Sequence, residues 1–225
     1  MYATTGIFRS ASQINEAMGR VFGHMGLAVV TSMIVSMLVA GSPGLMALLF
    51  GTALKWVVIF APLVAILALS FGLEKLTKTQ ATVALHGFAA LMGVSFATIF
   101  VIYNLGSIVS AFMGAAVLFG IMAFYGYFTK RDLSGVGQFL FIGLIAIVVA
   151  SIINIFIGSS VAQMVISALA IVIFTGLTAY DTQNIRQMVS VDNPGNLEIA
   201  GALSLYLNFI NIFLSLLQLF GQKND

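Results

Sequence analysis

The sequence predicts an all-α membrane protein, a bundle of seven transmembrane helices, and three observations predict it. Hydrophobic residues make up 60% of the chain and charged residues 7%, where a soluble domain carries roughly 25% charged residues. The mean hydropathy is +1.10. Apolar runs of about 20 residues recur without the alternation of a barrel strand. Lipid offers no hydrogen bonds, so a spanning chain must satisfy its backbone within helices or a closed barrel, and unalternating runs select the helix. The absence of cysteine excludes disulfides, thiolate chemistry and cysteine metal sites. A formal charge of +2, with the basic residues in short loops, implies no nucleic-acid partner.

Taken in order, Met1 to Arg20 is a polar segment expected on the cytoplasmic side, with Arg9 and Arg20 ahead of an apolar run from Val21 to Ala40. That run exceeds the roughly 7–15 residues of a signal-peptide core, so it reads as the first transmembrane helix. Ser42-Pro43-Gly44 reads as a turn, and Leu45 to Leu54 is too short to span. The second helix is expected from Trp56 to Leu73, with Lys55 and Trp56 as interfacial anchors and a kink at Pro62. A charged loop with Glu74, Lys75 and Lys78 leads to the third helix, Ala81 to Tyr103, and Asn104 to Ser107 turns into the fourth, which ends at Phe128. Lys130-Arg131-Asp132 marks a loop before the fifth helix, Val136 to Ile157. Gly158-Ser159-Ser160 is a turn, and the sixth helix begins near Val161 and passes through Asp181. Arg186 to Asn196, containing Asp192-Asn193-Pro194-Gly195, is the last loop. Leu197 to Phe220 is the seventh helix, closing a membrane domain over residues 21–220, and Gly221 to Asp225 is a polar tail. The polarity of the last helix leaves a re-entrant course open beside a full span.

Counting Lys and Arg by side sets the orientation. An N-terminus inside places Arg9, Arg20, Lys75, Lys78, Lys130, Arg131 and Arg186 on the cytoplasmic face and leaves Lys55 and Lys223 outside. Small residues at helical spacing, Gly106, Ser110 and Gly114 in the fourth helix and Gly87, Ala90 and Gly93 in the third, read as packing seams.

Asp181 is the one acid expected at membrane depth, where a carboxylate costs about 2.5–3.5 kcal/mol on insertion scales and is seldom kept for packing. Thr178, Thr182 and Asn184 are positioned to hydrogen-bond locally, and Arg186, about one turn on, pairs with Asp181 if the helix continues. In the last helix Ser204, Asn208, Asn211, Ser215 and Gln218 recur at intervals of four, three, four and three, which aligns them on one face. Such a stripe must face protein or water, so it either hydrogen-bonds between helices or lines a polar path. His86 reads as a hydrogen-bonding residue, Ser151, Asn154 and Gln163 as interhelical hydrogen-bond formers, and Phe124, Tyr125, Tyr127 and Phe128 as an aromatic belt. The two histidines, His24 and His86, with no H-E-x-x-H motif, disfavour a zinc hydrolase. An intramembrane aspartyl protease needs a second acid beside Asp181, and a retinal pump needs a lysine in the last helix. The residues therefore point away from an enzyme and require no cofactor.

At these positions the sequence resembles the Bax-inhibitor (transmembrane Bax-inhibitor motif) family, in its short bacterial form. The resemblance is carried by T-G-L-T-A-Y-D-T-Q (Thr175 to Gln183), G-A-L-S-L-Y-L-N-F-I-N-I-F (Gly201 to Phe213), Y-G-Y-F-T-K-R-D-L (Tyr125 to Leu133) and I-I-N-I-F in the fifth helix. It implies a seven-helix fold in a bacterial inner membrane, a pH-gated leak of calcium or other cations, and roles in suppressing cell death or modulating a membrane-bound protease. The family's pH sensor is a pair of intramembrane aspartates. Asp181 matches the first, and Asn208 stands at the second. Two carboxylates held together share a proton, whereas an acid facing a carboxamide accepts its N–H and remains charged. The resemblance therefore implies pH gating that is weaker than in members with both acids, or shifted to lower pH. No arginine in the second helix is available to pair with the acids. The expected function is a calcium or cation leak with Asp181 as proton or cation site and Ser204, Asn208, Asn211 and Arg186 along its path. The alternatives are a non-conducting partner of a membrane protease and a proton-coupled transporter of a small solute.

Overall fold

The computed structural model describes residues 9–190 and 196–224. Over them the chain forms α1 (Ala11–Ala40), α2 (Pro43–Phe50), α3 (Leu54–Gly72), α4 (Lys78–Ile102), α5 (Leu105–Phe128), α6 (Ser134–Ile157), α7 (Ser160–Met188) and α8 (Leu197–Phe220), with a 3-10 turn at Leu73–Lys75. All but α2 are long and apolar enough to cross a membrane, which makes seven candidate spans among the described residues and an all-α integral membrane protein. The last helix is unbroken over 24 residues, about 36 Å at 1.5 Å per residue and more than the roughly 30 Å of hydrocarbon.

Helix starts are set by capping as much as by hydropathy. Ser10 and Gln13 form a reciprocal capping box that begins α1 ten residues before its apolar run. Thr77 and Gln80 do the same for α4, so Lys78 is helical and not part of the preceding loop. Ser42, Pro43 and Gly44, read above as a turn, are the N-cap and first residues of α2, where proline's fixed φ suits the first helical position. Asn104 accepts from the Ser107 N–H at 2.8 Å, so that turn too is an N-cap, opening α5. At the end of α6, Gly158 adopts φ +70°, a left-handed cap that only glycine enters without cost. Pro62 lies inside α3 without ending it. Arg186, assigned above to the last loop, belongs to the last turn of α7. Gln187 and Met188 of that loop are helical too, and its residues 191–195, which include Asp192 to Gly195, lie outside the described residues, as do the first eight residues of the polar N-terminal segment and Asp225 of the tail.

Contacts within the chain fall into two compact units. The first contains α1–α4 and α8 as far as Tyr206. Here α1 packs on α4, and a Cβ placed on Gly93 would stand 2.6 Å from the Ser32 carbonyl oxygen, so this glycine is the close-contact seam expected of it. Gly87 is exposed, with no neighbour within 4 Å of such a Cβ, and does no packing of that kind. Tyr206 is fully buried, its hydroxyl 2.6 Å from Ser32 Oγ and its ring edge-on to Phe88.

The second unit contains α5, α6, α7 as far as Gln187, and α8 from Leu207. Phe112 and Phe119 of α5 meet Phe209 edge-on, with ring centroids 5.4 and 5.8 Å apart. Three glycines bring the helices together: Gly126 against the Ala179 carbonyl, Gly137 against the Tyr180 ring, and Gly176 against Leu140. Gly106, Ser110 and Gly114 all line a cavity of about 530 Å³ with Asn104, Phe220 and Gln222, and of the two glycines only Gly114 closely approaches a neighbouring helix, at Leu216. Among the spans α8 is set apart by burial: 67% of its apolar window lies inside the protein, against 11–33% for the other spans. Its polar residues therefore meet protein more than lipid.

Candidate functional site

Asp181 projects from α7 half-buried, within the unit that also holds the second part of α8. Asn208 is 5% exposed and donates its Nδ2–H to Asp181 Oδ2 at 2.7 Å. That is the short end of the range for an amide donating to a charged acceptor. The two positions singled out by the motifs are thus in direct contact, acid to carboxamide. A carboxamide carries no charge and takes up no proton, while a carboxylate offers about four acceptor sites. The Asn208 amide N–H orients Asp181 through its Oδ2. Thr178 and Thr182 donate instead to carbonyls of their own helix, Phe174 and Thr178, at 2.8 and 2.7 Å.

The stripe on α8 divides between different partners. Asn208 goes to Asp181, and Asn211 donates to the Leu207 carbonyl of its own helix at 2.8 Å. Gln218 Oε1 accepts from Gln163 Nε2 at 2.9 Å and from Ser167 Oγ at 3.0 Å. Gln163 in turn accepts from Asn154 at 3.3 Å, so Asn154 and Gln163 are the interhelical formers expected. Ser151 is not, because it bonds the Ile147 carbonyl within α6. Ser204 is half-buried and Ser215 buried.

Arg186 donates to the Tyr127 carbonyl oxygen at 2.9 Å and lies over the Tyr127 ring at 5.0 Å, which ties the end of α7 to the end of α5. Gln183, two residues beyond Asp181, is a residue that sequence reasoning passed over. Its Oε1 accepts from Leu133 N at 2.9 Å and its Nε2 donates to the Arg131 carbonyl at 2.8 Å. These bonds join T-G-L-T-A-Y-D-T-Q to Y-G-Y-F-T-K-R-D-L: the glutamine of one holds the loop of the other. In that loop, hydrogen bonds from Ser134 hold the Asp132 carboxyl below its ordinary value. Gln183→Ala leaves a buried N–H and a carbonyl without their partner, at about 1–3 kcal/mol each where water cannot replace it. It is expected to lower the melting temperature in detergent; an unchanged melt rejects this role.

A buried acid, also missed, lies in the first unit. Glu198, in the first turn of α8, has a side chain 12% exposed. Arg20 of α1 donates to both of its oxygens, Nε to Oε2 at 2.9 Å and Nη2 to Oε1 at 2.6 Å. Lys78 of α4 adds Nζ to Oε2 at 3.1 Å, and Arg20 also reaches Glu16 at 2.7 Å. Partners 178 and 120 residues away hide such a contact from local patterns. The signal on hand was an acid opening α8 on the side assigned to Arg20 and Lys78. Nearby, His24 and His86 stand with ring centroids 6.5 Å apart, and His86 Nδ1 is 3.3 Å from Thr31 Oγ1. Among the described residues no group of three or more His, Asp or Glu side chains is placed to hold a metal ion.

Comparison with known proteins agrees with these motifs. The family model described as "Inhibitor of apoptosis-promoting Bax1" matches residues 14–225. The inner membrane protein YbhL of Escherichia coli K12 is 38% identical over 224 residues, covering 96% of each chain. A protein of Borreliella burgdorferi is 36% identical over 217 residues, covering 94% of each. A membrane protein of Streptococcus pyogenes is 44% identical over 141 residues, covering 61% of each. With the family model matching nearly its whole length, the chain belongs to the Bax-inhibitor family.

Proposed function

We propose that this protein is a pH-sensitive leak for calcium, or for cations more broadly, in a bacterial inner membrane, with Asp181 as the proton or cation site and the polar face of α8 along the route. The observation that carries the reading is the contact between Asp181 and Asn208. An acid within a spanning helix, held by a neutral amide on the most buried helix, is costly to keep for packing alone. Calcium takes about 6–8 oxygen ligands in a site that retains it. One carboxylate beside amides falls well short of that, which suits an ion in transit. The reading needs no cofactor and no catalytic residue, and calcium enters it as the permeant ion. The excess of basic residues on one side supports an N-terminus in the cytoplasm.

Purified protein in calcium-loaded liposomes tests it. Asp181→Asn is expected to reduce the leak to that of protein-free vesicles, and a leak equal to that of the unaltered protein rejects the assignment. A tight seal in both, with a membrane protease co-purifying from the native membrane, favours the non-conducting interaction role instead.

A further inference from the structure

We infer that Gln218 closes the far end of the route along α8: its side-chain oxygen is the catch of a hydrogen-bonded latch that a passing cation has to undo. The inference rests on the leak reading and names the residue that restrains the leak. Gln218 is the last member of the polar stripe on α8, and its Oε1 accepts from Gln163 Nε2 at 2.9 Å and from Ser167 Oγ at 3.0 Å. A carboxamide oxygen has two lone pairs, so those two donors fill it. Gln163 Oε1 is taken in turn by the Asn154 amide at 3.3 Å, and Asn154 Oδ1 by the Ser159 N–H at 3.2 Å. Calcium and other hard cations are held by oxygens. Here the oxygens of three carboxamides are already turned onto N–H and O–H donors, and none of these side chains carries a charge to draw a cation in.

The latch has a fixed half and a movable half. Asn154 and Ser167 are buried, and the bond from the Ser159 N–H ties Asn154 to the turn between α6 and α7, where Gly158 takes φ +70°. Gln218 is exposed and stands two residues before the end of α8, and helix ends fray. Ten residues separate it from Asn208, about 15 Å of helix, and between them Asn211 bonds the Leu207 carbonyl of its own helix. Thus α7 and α8 are fastened at two levels, at one by the acid Asp181 and at the other by neutral groups. Hydrogen bonds between helices in a membrane are individually weak, which suits a contact that opens and closes. Releasing Asp181 alone therefore leaves the route shut until Gln218 lets go.

Gln218→Leu keeps most of the side chain's bulk and removes its oxygen, and its leak from calcium-loaded liposomes is to be compared with those of the unaltered protein and Asp181→Asn. The leak is expected to rise about three- to tenfold, the effect on an opening equilibrium of losing two such bonds. In the double variant, Gln218→Leu with Asp181→Asn, the rise is expected to vanish, whereas a bundle merely loosened by the substitution would leak without Asp181. The inference is overturned if Gln218→Leu leaks no faster than the unaltered protein, or if the raised leak persists in the double variant. Either result leaves the leak reading intact where Asp181→Asn still silences the unaltered protein. If neither the unaltered protein nor Gln218→Leu leaks above protein-free vesicles, the leak reading falls and the latch with it. Should Gln218→Leu fail to fold, Gln218→Asn keeps the carboxamide but is one carbon shorter, which withdraws the oxygen from both donors, and it is read by the same criteria.

Discussion

Asn208→Asp is expected to give a calcium leak whose pH dependence is steeper and centred at higher pH than that of the unaltered protein. At present Asp181 faces an amide donor at 2.7 Å, a group with no charge and no proton to exchange. A second carboxylate in that place removes the donor and adds a like charge in contact, so the two acids share a proton and titrate as a pair. A pair that shares a proton releases it in two separated steps, which gives the variant a pH response that one acid beside an amide lacks. The folded variant then holds a proton that the unfolded chain has released. It binds more protons than the unfolded state, and its stability falls as pH rises. Flux from calcium-loaded liposomes across a pH series, with thermal melts of both proteins at the two ends of the series, reads both effects. Superimposable flux profiles would remove Asn208 from any part in pH response.

Gly126→Ala should lower stability by about 1–3 kcal/mol or more, although it adds one methyl group. The new Cβ would fall on the carbonyl oxygen of Ala179, a backbone atom that cannot rotate away. Relief requires α7 to move away from α5, and α7 carries Asp181 two residues beyond the contact. The substitution is therefore expected to impair the site as well as the fold. Gly87→Ala is the matched control, since nothing lies within 4 Å of its Cβ and alanine gains about 0.5–1 kcal/mol over glycine inside a helix. Melting temperatures in detergent should separate the two in opposite directions, and equal, small changes would mean that α5 and α7 can part freely at Gly126.

The spans were legible because lipid enforces them: a run of about 20 apolar residues has few other uses. Leu197 to Phe220 matches α8 at both ends. Boundaries slipped where hydrogen bonding and not hydropathy decides them, at Ser10 and Thr77, whose capping boxes start helices inside segments that read as polar. The meeting of Asp181 with Asn208 was legible through the family motifs, but Asn211 and Gln218, on the same stripe, turned out to serve different partners. Gln183 and Glu198 escaped notice for one physical reason. Their partners are backbone groups or side chains brought near only by packing, and neither residue type stands out near the expected end of a span.

The uneven burial of the spans bears on how the bilayer itself can act on this protein. The two spans with 11% of their windows buried, α3 and α6, present most of their surface outward. A mismatch between bilayer thickness and helix length is met by tilting, which packing against neighbouring helices restrains, so these two, packed least, are the freest to respond. The helix that carries Asn208 shares least. Lipid therefore acts least on the Asn208 side of the Asp181 contact and more on the α7 side, whose window is 28% buried.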